Sequence, residues 1–452
     1  MLLPCLLLAA ALEGEAALRH AAALAALGPH PWGSPRAGVA AEYVLSQFRG
    51  AGLQEVRLQD FESHGIRGSN AIGVLRAAGP EFVVVAAHHD TAPLAPGAYD
   101  DGGGVGVLIE AARVLAQQPS RPRTLVFVSF DGEEAWWSGK TTTAGSRAYV
   151  DSLGKEAHNM VAALVVEMNG FRGGTPVLHP IAYANPLLPG RSVIAPGWLL
   201  DAALAGARAN AAPLGVGDPY LCWLYQPAVR TFRIGLYGDD MSFAQAGLPA
   251  VFVSDSSFSS FYPWYHQATD TPDKLDAGAL GRTGAAVLGA IAALSRMPRG
   301  SGADPVWFAA AGHVVDASWL YVLGVLCVLP GLAVAISEGG AALALRSLQA
   351  LLFALLLWRQ PLPALWCFVL PLLATAARRR WLSLVALLPL VALLVLGGAA
   401  AARGYVTGVW LAPWEIAVAL GVLALLWLHP PVPARAPKRA RAKSKPRPRR
   451  SR

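Results

Sequence analysis

The run 83–90, VVVAAHHD, is a short apolar strand that ends abruptly in two histidines and an aspartate. Asp100, Glu133, Glu134, Glu167 and His266 follow in similar settings. Imidazole and carboxylate groups without a cysteine suit zinc or a neighbouring divalent metal, and a second ion becomes feasible where one carboxylate is placed to bridge. These residue types point to a hydrolase built around metal-activated water.

Positioning such a set requires a rigid frame. Strand-like runs are expected at 55–61, 69–75, 82–87, 124–130, 161–166 and 250–254, and helices at 37–49, 104–115, 196–209 and 277–295. Strands that are continuous apolar runs alternating with helices indicate a sheet covered on both faces. In such sheets ligands collect beyond the carboxyl ends of the strands. His88, Glu133, Glu134 and Glu167 each fall at or just past such an end. The glycines 102–104 lack the lysine and spacing of a phosphate loop and read as a tight entry to a helix.

The 452 residues are 54% hydrophobic and only 15% charged, and these averages hide two different halves. Up to about residue 299 the charges are spread as in a globular domain. Between 317 and 428 the charged residues are Glu338, Arg346, Arg359, Arg378, Arg379, Arg380, Arg403 and Glu415. That composition predicts a membrane region of about five helices, over 318–336, 341–358, 362–377, 381–400 and 406–428. Basic residues favour the cytoplasmic side, so Arg378 to Arg380 and the tail should lie inside and the N-terminal half outside.

The net charge of +8 comes from the tail, PARAPKRARAKSKPRPRRSR, which is interrupted by proline and lacks aromatics. It cannot form a packed core, and it reads as an anchor for anionic lipid rather than a nucleic-acid site. The first residues, MLLPCLLLAAALEGEA, have the apolar run of a signal peptide without its positive start. The expected organisation is a candidate signal peptide at 1–16, a catalytic domain at 17–299, a linker at 300–317, a membrane region at 318–428 and a basic cytoplasmic tail at 429–452. The four cysteines, Cys5, Cys222, Cys327 and Cys367, leave the catalytic half with one and so with no disulfide of its own.

At these residues the chain resembles the co-catalytic zinc peptidase family that includes aminopeptidase Y, glutamate carboxypeptidase and membrane-anchored relatives. The matching pieces are GPHPWGSPRAGVAAEYV, AAHHDT, PGAYDDGGGVGVLIEAARVL, LVFVSFDGEEAWWSGKTTTAGSRAYV, VVEMNGF, GDDMSFAQAGLPAVFV and YHQATDTPDKLD, in the family's order across roughly 17–295. The resemblance implies an α/β/α sandwich with a mostly parallel central sheet and a zinc-dependent aminopeptidase acting on peptides. It makes Asp100 the carboxylate bridging two zinc ions, His88 and Glu167 the other ligands of one, and Glu134 and His266 those of the second. Glu133 becomes the general base. Asp90 is expected to orient the His88 imidazole through its far nitrogen, and Asp239 to lie near the substrate. Asp101 rivals Asp100 as the bridge, but the preceding Pro-Gly-Ala aligns with Asp100. His89, the variable residue of the His-x-Asp motif, is expected to be structural.

Two departures stand out. Glu167 takes the place of an aspartate found in many soluble members. The segment AWWSGKTTTA after Glu134 is longer than the usual turn and resembles glutaminyl-peptide cyclotransferases, which share the fold and use one zinc; such a cyclase is the alternative function. A third reading, a membrane receptor or scaffold with lost chemistry, is opposed by the complete ligand set. Trp136, Trp137, Phe258, Phe261 and Trp264 are candidates for an apolar pocket.

Overall fold

The computed structural model describes residues 12–139, 141–182, 193–216, 238–255, 262–298, 307–310 and 313–316. All of them fall in one compact unit. The expected membrane spans, the tail, the start of the candidate signal peptide, and Phe258 and Phe261 lie outside the described residues.

An eight-stranded sheet is the frame. Its strands are β1 (Glu55–Ser63), β2 (Ile66–Leu75), β3 (Phe82–His88), β4 (Thr124–Phe130), β5 (Met160–Val166), β6 (Val177–His179), β7 (Gly215–Val216) and β8 (Ala250–Ser254). Their spatial order is β1-β2-β4-β3-β5-β8-β6-β7. The helices are α1 (Gly14–Ala25), α2 (Pro35–Gly50), α3 (Gly103–Ala116), α4 (Ala144–Leu153), α5 (Gly197–Ala209), α6 (Asp240–Gln245) and α7 (Ala277–Leu294).

The centre of the sheet, β4-β3-β5-β8, is parallel, and every residue of these strands is buried. Their valine-rich runs leave no polar face, which is what a sheet covered on both sides requires. Val83, Val85 and Ala87 of β3 pack into a core with residues of α2, α3, α5 and α7, while Val84 and Ala86 pack with Tyr149 of α4 and Phe243 of α6. The two cores make the sandwich.

The flanks depart from the parallel expectation. β1 pairs antiparallel with β2, β2 with β4, and β6 with β8, so the sheet is mixed. β1 carries charged side chains and alternates exposed with half-buried residues, as suits an edge strand. His64 and Gly65 both take positive φ, which matches the two-residue turn that joins tightly twisted hairpin strands.

Two local features fix the elements nearest the strand ends. A side chain at Gly103 would come within 2.0 Å of the Asn169 carbonyl oxygen, and one at Gly104 within 2.3 Å of that of Val166. The glycine run therefore lets the start of α3 press directly against the end of β5. The Asp276 carboxylate accepts from the Ala279 amide at 2.7 Å and caps α7.

Residues 12–16, grouped by the sequence with a leader, belong here to the folded unit. Leu12 is buried in the first core and α1 begins at Gly14. Among the described residues one helix, α7, is long and apolar enough to cross a membrane, and most of it is buried in the sandwich.

Candidate metal centre

Three parallel strands end at one place. β3 ends on His88, β4 runs out into Glu133 and Glu134, and β5 is followed directly by Glu167. Register keeps these ends level, with His88 opposite Phe130 and Ala86 opposite Val165. The turn before α3 adds Asp100, and the loop before α7 adds His266, held at a φ of 60°.

Five side chains form two groups that share one member. His88, Asp100 and Glu167 make the first, and Asp100, Glu134 and His266 the second, with ligand atoms within 4.8 Å of one another in each. Asp100 presents Oδ1 at 3.2 Å to His88 Nε2 and Oδ2 at 3.3 Å to His266 Nε2. His266 Nε2 lies 2.7 Å from Glu134 Oε1, and His88 Nε2 lies 4.0 Å from Glu167 Oε1. Yet His88 Nε2, Asp100 Oδ2, Glu134 Oε1, Glu167 Oε2 and His266 Nε2 are buried without a hydrogen-bond partner of acceptable geometry among the described residues. Buried polar atoms are rarely left so. Converging lone pairs of two imidazoles and three carboxylates suit divalent cations such as zinc.

Electrostatics without the ions is strained. Burial pushes Glu167 well up, and the Glu133 charge adds to it. Burial also pushes Glu133 well up; His88 opposes this, while Glu134 and Asp239 reinforce it. Burial and Asp100 raise Glu134 to about 7, although His266 pulls it back. For His266 burial acts downward, but Asp100 and Glu134 prevail and raise it to about 10. Burial likewise acts downward on His88, and Asp100 and Asp90 hold it well above its usual value.

These shifts give a signed expectation. His266, raised to about 10, holds a proton at neutral pH, and a ligand must give up its proton to bind metal. Zinc added to the stripped protein at pH 7 should therefore release protons, and affinity should strengthen from pH 6 to pH 8. Calorimetry in two buffers of different ionisation enthalpy reads this directly; identical heats in both would contradict it.

The neighbours sort themselves by hydrogen bonding. Asp101 does not face the ligand groups: its Oδ1 accepts from the Gly104 and Met168 amides at 3.0 and 3.1 Å, and its Oδ2 from the His88 amide at 3.3 Å. His89 is buried with Nδ1 3.0 Å from the Ser129 hydroxyl, and burial pushes it down to about 3, so it stays neutral. Asp90 differs from the expectation. Its Oδ1 is 3.6 Å from His88 Nδ1, too far for a hydrogen bond, and that nitrogen faces the Asp90 carbonyl oxygen at 3.1 Å. The carboxylate instead accepts from the Glu133 and Glu134 amides at 3.0 and 3.1 Å. Asp90 thus orients the imidazole through its backbone and the glutamate pair through its side chain.

Asp239 sits just before α6, fully buried, with both carboxylate oxygens lacking a hydrogen-bond partner among the described residues; burial raises it to about 7. Sequence reasoning missed Asp270. Its Oδ1 accepts from the Tyr99 amide at 2.9 Å and the Tyr262 hydroxyl at 2.8 Å, and its Oδ2 from the Asp100 amide at 3.3 Å. It lies four residues after His266, so the motif YHQATDTPDKLD was the available signal. Trp264, a candidate pocket residue, packs edge-on against Phe171 and Tyr262. Trp136 and Trp137 remain 48% and 39% exposed beside Glu134.

Residues 70–291 match the model of peptidase family M28. Over those residues the sheet domain is similar to peptidase family M28. The chain is 40% identical over 77 residues to aminopeptidase YwaD of Bacillus subtilis, which is 17% of this chain and 15% of that protein. It is 29% identical over 196 residues to a vacuolar membrane protease of Laccaria bicolor, covering 40% of this chain and 18% of the other. Both matches span well under two thirds of those relatives' lengths. Among solved structures, BSAP, a zinc aminopeptidase from Bacillus subtilis, superimposes with a TM-score of 0.50 at 16% identity, covering 62% of this chain and 94% of that one. That likeness concerns the fold alone.

Proposed function

We propose that this chain is a membrane-anchored zinc aminopeptidase that removes N-terminal residues from peptides. The observation that carries the reading is the shared position of Asp100, with one carboxylate oxygen toward each histidine. Two zinc ions would be held by His88, Asp100 and Glu167 and by Asp100, Glu134 and His266. When bound, they supply Lewis acidity toward a carbonyl oxygen and toward water.

The protein's own groups do the rest. Glu133 is buried beside both groups and belongs to neither, which leaves it to take a proton from water as the carbonyl is attacked. It then passes the proton to the departing amine. Asp90 clamps the Glu133 and Glu134 amides, so the two neighbours keep their separate tasks. Asp239 offers an unpaired carboxylate to the ammonium of an unblocked peptide. Acetylating the substrate should therefore abolish turnover, and equal cleavage of blocked and free peptides would remove the exopeptidase reading.

The cyclase reading needs a single ion, for which Asp100, Glu134 and His266 suffice; the Trp136–Trp137 loop is what favours it. An inactive receptor has no use for five converging ligands. Anchoring rests on residues 318–428 and their sparse charges. A reporter fused after Arg452 should be cytoplasmic and one inserted near Gly302 extracytoplasmic; a cytoplasmic signal at Gly302 would contradict the odd number of spans.

A further inference from the structure

The two histidines of the centre are supported in different ways. A metal-binding imidazole normally gives its second nitrogen to a carboxylate or carbonyl, which fixes the ring. His88 has this, with Nδ1 3.1 Å from the Asp90 carbonyl oxygen. Among the described residues no hydrogen bond holds Nδ1 of His266, which is also only partly buried. Instead, two rings stack on it: the adjacent Tyr265 at 3.6 Å, centroid to centroid, and the indole of Trp136 at 5.4 Å, tilted by only 13°. The same indole donates its Nε1–H to Glu134 Oε2 at 2.5 Å. One oxygen of Glu134 is thus engaged, and the other, Oε1, is left facing His266.

We propose that Trp136 is the positioning residue of the second metal group: its N–H restricts Glu134 to one ligating oxygen, and its ring braces His266. This rests on the reading of Glu134 and His266 as zinc ligands. It accounts for a tryptophan that is 48% exposed and belongs to no apolar cluster among the described residues. Two ligands separated by 132 positions in the chain gain a single common support from the loop that distinguishes this sequence after Glu134. Trp137, its 39% exposed neighbour, makes no ring contact or hydrogen bond with either ligand among the described residues and serves as the control.

The test is a zinc titration of the full-length protein against a fluorescent chelator, for the wild type and for Trp136→Phe, Trp136→Ala and Trp137→Phe. Trp136→Phe keeps a stacking face and removes the donor. Loss of a group that orients a metal ligand costs about 10–100-fold in affinity. One of the two zinc affinities should fall by that factor in Trp136→Phe and at least as far in Trp136→Ala, with the other affinity unchanged. Trp137→Phe should match the wild type, and the zinc-stripped variants should unfold at the wild-type midpoint. Unchanged affinities in both Trp136 variants would overturn the proposal, as would a uniform loss at both sites that tracks a lowered midpoint. A wild type that binds no zinc would instead defeat the metal reading itself.

Discussion

Glu133→Gln is expected to lower turnover by about two orders of magnitude or more, the range that a positioned proton carrier contributes, while zinc content stays at the wild-type value. The side chain lies outside both ligand groups, and glutamine preserves its size and its neighbours. The Glu133 amide remains held by Asp90, so the backbone has no reason to move. What disappears is the capacity to accept a proton. Metal analysis alongside single-turnover kinetics checks this. Loss of zinc with activity following occupancy would mean that Glu133 and Glu134 have exchanged roles.

His266→Ala should remove metal as well as activity. His266 Nε2 is 2.7 Å from Glu134 and 3.3 Å from Asp100, and no other described nitrogen donor completes that group. The zinc count should fall from two to one per chain, because His88, Asp100 and Glu167 still form the other group. Activity should fall at least as far as in Glu133→Gln, since an electrophile is lost rather than a proton carrier. Two retained zinc ions in this variant would show that the loop before α7 does not supply a ligand.

Much of the frame was readable because the information was local. The parallel strands announce themselves as continuous valine-rich runs, and a ligand at the end of each needs only the strand boundary. The rest depends on contacts that a linear reading does not carry. The Ala- and Leu-rich stretch before residue 17 reads more readily as a leader than as a core helix, and the burial of Leu12 and the packing of α1 beside α3 and α7 are contacts the linear pattern does not show. Helix α4, with the modest pattern AGSRAYVDSL, buries few large side chains and gives little periodic signal. Asp100 and Asp101 are indistinguishable by type; what separates them is that the Asp101 carboxylate is consumed by the amides of Gly104 and Met168. The double use of Asp90 and the reach of Trp136 to Glu134 and His266 are likewise matters of side-chain direction.

The most direct test of a two-metal aminopeptidase gives the purified protein a Leu-initiated and a Gln-initiated peptide, follows product mass and counts zinc. Two zinc ions per chain with loss of the first residue from the Leu peptide is the predicted result. One zinc per chain, with ammonia lost from the Gln peptide and the Leu peptide untouched, would contradict it and establish the cyclase.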